Sequence, residues 1–449
     1  MSEFEKKKMI SYKNRSSPRE ASSSSRTFSS KFASKIRDSD FSDIKQPTIL
    51  LKNKDVLPED HTTNIKQKPK DQEAAPIISS KDVEPQPHLK HMRKSLKLIE
   101  DGTINSDHLQ DFLQENSDFI VVGVVGPQGV GKSTLLNLLT EKKVTEPIKR
   151  SLFKSHTEAT DDYNNGITIF TQILENTHLD EPTSVFKVES LEDVENCENA
   201  TQGIDIYVSP NRVIFLDCQP FLSVAVAVDL SESENKRSNL VSDFIPMENS
   251  GEIQGLQYTA FLMSVCHILL VVQDWFFDSN IVRFIQTAKM LKPTISNPED
   301  EYSEHFPHLI MVHNKAQMAD FTPKQFEVMQ KVYETLFQKT KLPFHTNLGL
   351  GSGRIINTLK PENCGNKVNL FLIPEINAND QSNVENDVYS GHPPLEELIR
   401  RLRANIFGVT KTSLTHVQLT EKTWLIYCNK VWETVKKSPF FVEYTKLMP

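Results

Sequence analysis

Gly126-Pro127-Gln128-Gly129-Val130-Gly131-Lys132-Ser133 has the residue types and spacing of a phosphate-binding loop, Gly-x-x-x-x-Gly-Lys-Ser/Thr. The chemistry expected of it is direct. Backbone amides of residues 129–134 turn inward and, with the positive end of the helix that follows, hold phosphate oxygens. Gly129 and Gly131 let the backbone approach without a side-chain clash. Lys132 reaches the outer phosphates, and the Ser133 hydroxyl ligates Mg2+. The candidate nucleotide-binding residues here are Gly126, Gln128, Gly129, Val130, Gly131, Lys132, Ser133 and Thr134.

Three further positions bear on what such a loop would do. Asp217 ends the apolar run Val213–Leu216, where a P-loop protein places its magnesium-side aspartate. A signalling GTPase then reads Asp-x-x-Gly-Gln, whereas this chain reads Asp217-Cys218-Gln219-Pro220-Phe221. Pro220 has no N–H to offer a γ-phosphate, and Phe221 cannot orient water. The hydrolytic apparatus therefore reads as lost unless Gln219 substitutes. Asn314-Lys315-Ala316-Gln317 stands where a GTPase carries Asn-Lys-x-Asp. Asn314 and Lys315 are base-side candidates, but Gln317 presents one acceptor and one donor group, which leaves guanine and adenine both open. Asp320 is a candidate to compensate. Thr201, in Thr201-Gln202-Gly203, reads either as a Mg2+ or γ-phosphate ligand of a first switch or as a plain turn residue. The candidate metal set is thus Ser133, Asp217 and Thr201, and no residue is assigned a catalytic role.

Elements of the right kind flank these residues. Phe119-Ile120-Val121-Val122-Gly123-Val124-Val125 is a continuous β-branched run, the pattern of a strand buried on both faces. Similar runs occur at 204–208, 213–216, 268–272, 309–312 and 368–373, with helical stretches near 134–140, 254–266, 279–291 and 323–338. Alternation of this kind predicts an α/β fold, a mostly parallel sheet with helices on both faces. Ser209-Pro210-Asn211 joins two runs directly and predicts one antiparallel hairpin. Residues 95–113 read as a short helical lead-in. Polar segments at 141–200, 223–250 and 375–392 read as surface insertions, mobile or partner-facing. Trp424, Cys428, Val431 and Val435 recur at helical spacing in a C-terminal helical segment, 411–449, whose aromatics pack on the domain or meet a partner.

Composition bounds the rest. Over 449 residues the hydrophobic share is 38% and the net charge −8, which argues against a dedicated nucleic-acid binder. Residues 1–92 contain no glycine, tryptophan or cysteine and are rich in serine, lysine and proline. They read as a disordered tail ahead of a domain spanning 93–410. No apolar run approaches the roughly 18 residues of a membrane helix, and the start lacks the apolar stretch of a secretory signal. Five scattered cysteines without a Cys-x-x-Cys pair suit reduced thiols, hence a cytoplasmic location. His88-x-x-His91 and His305-x-x-His308 lack the further ligands a metal site needs.

Whole phrases carry a family resemblance: Val121–Ser133, Gly203-Ile204-Asp205, Arg212–Asp217 followed by Gln219-Pro220, Val271-Val272-Gln273-Asp274-Trp275-Phe276, and Leu419-Thr420-Glu421-Lys422 before Trp424. From about residue 95 onward the chain resembles the smaller G-domain regulatory subunits of the nonsense-mediated mRNA decay kinase complex. The resemblance implies a G-domain-like P-loop fold that holds a purine nucleotide (GTP/GDP or ATP/ADP) with Mg2+. It also implies pairing with a larger G-like subunit, the eighth-numbered SMG factor, and regulation of a phosphatidylinositol-kinase-like protein kinase. No sequence-specific nucleic-acid contact and no membrane contact is implied. The expected function is a non-hydrolysing nucleotide-binding scaffold; the alternative is an active GTPase or ATPase switch.

Overall fold

The computed structural model of the chain describes residues 90–141, 184–232, 247–274, 276–294, 304–352, 359, 368–375 and 391–448. The tail up to residue 89 and the insertion segments 142–183, 233–246 and 376–390 lie outside the described residues.

The expected helical lead-in is a hairpin instead. Strand β1 (Leu96–Glu100) pairs antiparallel with β2 (Thr103–Ile104). The turn is Asp101-Gly102, at φ 45° and 75°. Positive φ at both central residues matches the strand twist, and Asp-Gly is a favoured pair there. Edge pairing decides the matter: β1 lies antiparallel on β4 (Ile204–Val208), burying Leu98 and Ile99, and a lone helix would forgo that ladder.

The centre of the sheet follows the apolar runs. Strands β3 (Ile120–Val125), β5 (Val213–Cys218), β6 (Ile268–Gln273), β7 (His308–Ala316) and β8 (Leu370–Pro374) complete the order β2-β1-β4-β5-β3-β6-β7-β8. From β5 through β8 every pairing is parallel, while β4–β5 is the antiparallel hairpin expected at 209–211. Every residue of β3, β5 and β6 is buried, so both faces of the sheet are covered.

Helices supply the covers. Those on the described residues are α1 (Lys132–Thr140), α2 (Leu191–Glu195), α3 (Val224–Glu232), α4 (Met247–Val265), α5 (Ser279–Leu291), α6 (Pro323–Phe337), α7 (Leu395–Phe407), α8 (Glu421–Lys436) and α9 (Pro439–Thr445). Around α4 gather α3, α5, α8 and α9, while α1 packs with α7. Trp424 and Trp432 are core residues of the α4 layer. The Trp424 indole N–H donates to Val265 O at 3.0 Å, and Trp432 stacks on Tyr258 with ring centroids 5.3 Å apart.

A buried ion pair fastens this layer to the sheet. Glu421, fully buried, accepts from the Arg212 Nε at 2.6 Å and from the Gln114 N–H at 2.8 Å. Arg212 sits in the β4–β5 turn, so one carboxylate joins that hairpin, the 110–116 segment and α8.

Candidate nucleotide-binding site

Gly126 follows β3 so tightly that a Cβ there would lie 2.3 Å from Val272 O of β6. The loop then swings over the carboxyl ends of the parallel strands, the edge where open α/β sheets place ligands. Gly129 and Gly131 take φ of 72° and 86°, a region costly for other residues. Gly131 caps α1, and a Cβ on it would meet Asn314 Nδ2 at 2.6 Å. The loop, Thr201, Asn314 and Lys315 border one cleft of about 420 Å3.

Among the residues expected to bind nucleotide, Gln128, Gly129, Gly131, Lys132, Ser133, Thr134, Asn314 and Lys315 line this cleft. Gly126 and Val130 stand behind the lining. Gly126 O accepts from the Phe221 N–H at 3.3 Å, and Val130 O from Asn314 Nδ2 at 2.9 Å. Lys315 Nζ lies 3.3 Å from both Gly129 O and Asp274 Oδ2, so the base-side segment grips the phosphate loop. Lys132 is buried, and its Nζ donates to Pro127 O at 2.8 Å. Burial pushes the Lys132 ammonium pKa down, opposed by the nearby Asp217.

Ser133, Thr201 and Asp217 converge. Both hydroxyls donate to Asp217 Oδ2, Ser133 at 2.6 Å and Thr201 at 3.1 Å. Thr201 Oγ1 also lies 3.4 Å from Ser133 Oγ. Asp217 is wholly buried beneath them, and its Oδ1 has no hydrogen-bond partner. Burial raises its pKa to about 6, against the Ser133 hydrogen bond and the Lys132 charge. An orphaned carboxylate oxygen beside two hydroxyls is a donor set that fits Mg2+, a hard cation that takes oxygen ligands. Among the described residues, no group of three or more His, Cys, Asp or Glu side chains forms a metal cage. His305 and His308 instead bond backbone carbonyls, Cys266 O at 2.8 Å and Thr410 O at 3.1 Å.

The positions after Asp217 are spent on structure. Gln219 is buried; its Oε1 accepts from the Gly203 N–H at 2.8 Å, and its Nε2 donates to Gln254 Oε1 at 2.6 Å. Phe221 stacks on Phe284 with centroids 4.3 Å apart, under the sheet edge. Neither side chain is directed to the cleft.

Several lining residues were not expected from sequence: Val188, Glu189, Val194, Asn199 and Ala200 from the end of the 141–200 insertion, with Pro374 and Glu375 after β8. Glu189 Oε1 accepts from Gln128 Nε2 at 2.7 Å, and the Ser223 hydroxyl donates to Gln128 Oε1 at 2.7 Å. Ser190 and Asp193 cap α2 reciprocally. The spacing Ser-x-x-Asp was the available signal for order here. Asn137 of α1 holds the same segment, exchanging hydrogen bonds with the Phe186 backbone at 2.8 and 2.9 Å.

A mostly parallel sheet, a phosphate loop on its carboxyl edge and an Asn-Lys element beside it define a G-domain-like P-loop protein. The Smg8_Smg9 family model matches residues 114–298. The nonsense-mediated mRNA decay factor SMG9 of Xenopus laevis is 33% identical over 397 residues, covering 83% of this chain and 70% of that protein. Protein SMG9 of Drosophila melanogaster is 28% identical over 330 residues, covering 73% and 55%. The chain belongs to the SMG9 family of nonsense-mediated mRNA decay factors. Among solved structures, the GTPase-like domain of S. cerevisiae Ski7 bound to GDP and inorganic phosphate is 16% identical. That match covers 66% of this chain and 51% of the other at a TM-score of 0.28. Among the described residues, no helix is long and apolar enough to cross a membrane.

Proposed function

We propose that this chain is a nucleotide-holding scaffold that does not turn its nucleotide over. In this reading it pairs with a larger G-like SMG subunit and regulates a phosphatidylinositol-kinase-like kinase in nonsense-mediated mRNA decay. The observation that carries the first part is Gln219. It is the only side chain between Asp217 and Phe221 with the chemistry to orient water, and both its polar ends are bonded inside the protein. Pro220 beside it has no N–H. The phosphate-holding parts, by contrast, retain the glycines, the lysine and the hydroxyl that binding requires.

Loop amides from Gly129 to Thr134 and Lys132 would hold the phosphates, with Gly126, Gln128 and Val130 shaping the loop. Asn314 and Lys315 would flank the base, and Ser133, Asp217 and Thr201 would hold Mg2+, which would neutralise phosphate charge. In this reading the site belongs to a domain at 93–410, and the helical segment at 411–449 packs on α4. The reading of partners rests on family membership, and the cytoplasmic location on the composition of the chain.

The first experiment is to denature the purified full chain and identify released nucleotide by chromatography, followed by steady-state assays with GTP and ATP. The expected outcome is bound nucleotide with turnover at background. Turnover above about 10⁻² per second, the range of G proteins with their arginine in place, would falsify the scaffold and favour a switch.

A further inference from the structure

A guanine-specific site needs an acceptor-only group at the base edge, because guanine's N1–H and N2–H2 present adjacent donors. Adenine presents one amino donor flanked by acceptors. The residue in the usual place, Gln317, does not line the cleft. It is exposed, its N–H bonds Asp320 Oδ2 at 2.9 Å, and its C=O accepts from the Asp320 N–H at 2.9 Å. That turn consumes the one carboxylate near enough in sequence to replace the missing aspartate.

Two carboxylates do border the cleft among the described residues, Glu189 and Glu375. Glu189 is bonded to Gln128 on the phosphate loop, 3.8 Å from the position of a Cβ on Gly129, which puts it at the phosphate end. Glu375 lines the cleft beside the Asn-Lys element, which pairs with its backbone through Ala316. Its backbone is held in register: Ala316 pairs with Pro374, and the Glu375 N–H donates to Ala316 O at 3.0 Å. Its side chain has no hydrogen-bond or ion-pair partner among the described residues.

The geometry points to Glu375 as the base-reading residue, a carboxylate supplied from the end of β8 in place of one after β7, which selects guanine over adenine. This rests on the nucleotide-holding reading above. Both Glu375 oxygens accept, matching guanine's two donors; against adenine, one oxygen faces a ring-nitrogen lone pair. Lys315 and Pro374 bracket the base plane with their apolar atoms, and the carboxylate stands at its rim.

The test measures dissociation constants of ribose-labelled GDP and ADP, with Mg2+, on the full chain and on Glu375→Gln, Glu375→Ala and Lys132→Ala. A good bidentate contact corresponds to roughly tenfold discrimination or more, so the unaltered chain should prefer GDP by about that factor. Glu375→Gln replaces one acceptor with a donor; it should weaken GDP, leave ADP equal or tighter, and bring the ratio near one. Glu375→Ala should weaken GDP alone. Equal weakening of both nucleotides would mean Glu375 holds the ribose and would overturn the assignment, as would an unmoved ratio or a native preference for ADP. In those cases Lys132→Ala should still abolish binding, and nucleotide holding stands. No binding of either nucleotide by the unaltered chain would overturn both readings.

Discussion

At the residue scale the site is a balance of charge in a confined space. Lys132 is the principal cation of the loop, and Glu189, hydrogen-bonded to Gln128, contributes to the field it feels. A polyphosphate in the cleft would face that carboxylate as a like charge. Glu189→Gln keeps the shape and the hydrogen bond to Gln128 while removing the charge. It should tighten GDP binding by roughly two- to fivefold at low salt, less at high salt, the scale of a partly exposed charge pair. Titration at two ionic strengths checks this, and weaker binding would show that Glu189 serves as a ligand. That the loop and Asp217 come together at the strand ends was legible from sequence, because their placement is set within a few neighbouring residues. Glu189 and Glu375 were not. One enters on an insertion whose polar composition looked like solvent-facing loop, and the other owes its place to β7–β8 register, which no local pattern encodes.

At the scale of elements, the parallel strands announced themselves as unbroken β-branched runs, since strands buried on both faces have no polar alternation to obscure them. The β1–β2 hairpin was misread as helix. Leu96-Lys97-Leu98 alternates, and Asp101-Gly102 is a hairpin pair, but five residues of edge strand gain their identity from β4, which lies a hundred residues away. The register of α8 was legible in its Trp424, Cys428, Val431 spacing; that it lies on α4 was not. Glu421 shows what this helix start does. A lone glutamate after a threonine reads as an ordinary first-turn acid, yet here it is the buried partner of Arg212. Glu421→Ala would leave that guanidinium, whose own pKa burial already lowers, without its counter-charge. It should cost about 3 kcal/mol or more in stability. Urea unfolding with an unchanged slope measures it; a loss under about 1 kcal/mol would show that water reaches Arg212 freely.

On the scale of the whole molecule, the two edges of the sheet have opposite characters. The phosphate-loop motif and the Asn-Lys element gather at the carboxyl ends of the parallel strands. At the amino ends sit His267, His305 and His308, with Lys411 nearby. His267 Nδ1 accepts from the Val121 N–H at 3.0 Å and so must be unprotonated. Burial pushes His267 down to about 3 and His305 to about 4. In the unfolded chain both take protons near pH 6.5. Stability is therefore full above that value and is lost as pH falls from 6.5 toward 4, because the unfolded state binds protons that the folded state refuses. Between pH 7.5 and 5 each of the two should cost on the order of 2 kcal/mol, about 4 kcal/mol together. Urea midpoints across that range measure it, and His267→Asn should flatten the slope; an identical slope in the variant would assign the acid sensitivity to other groups.

The Glu421 clasp and the two buried tryptophans also set an order of events in time. Residues 421–441 are made after every strand of the sheet, yet they cover α4 and neutralise Arg212 in the β4–β5 turn. Until they emerge from the ribosome, α4 has one oily flank bare and one cation is stranded. A message cut short before residue 421 would thus yield a chain with every lining residue of the cleft encoded and nothing to cover that flank of α4. For this fold, closure of the α4 layer waits on residues encoded after every described strand.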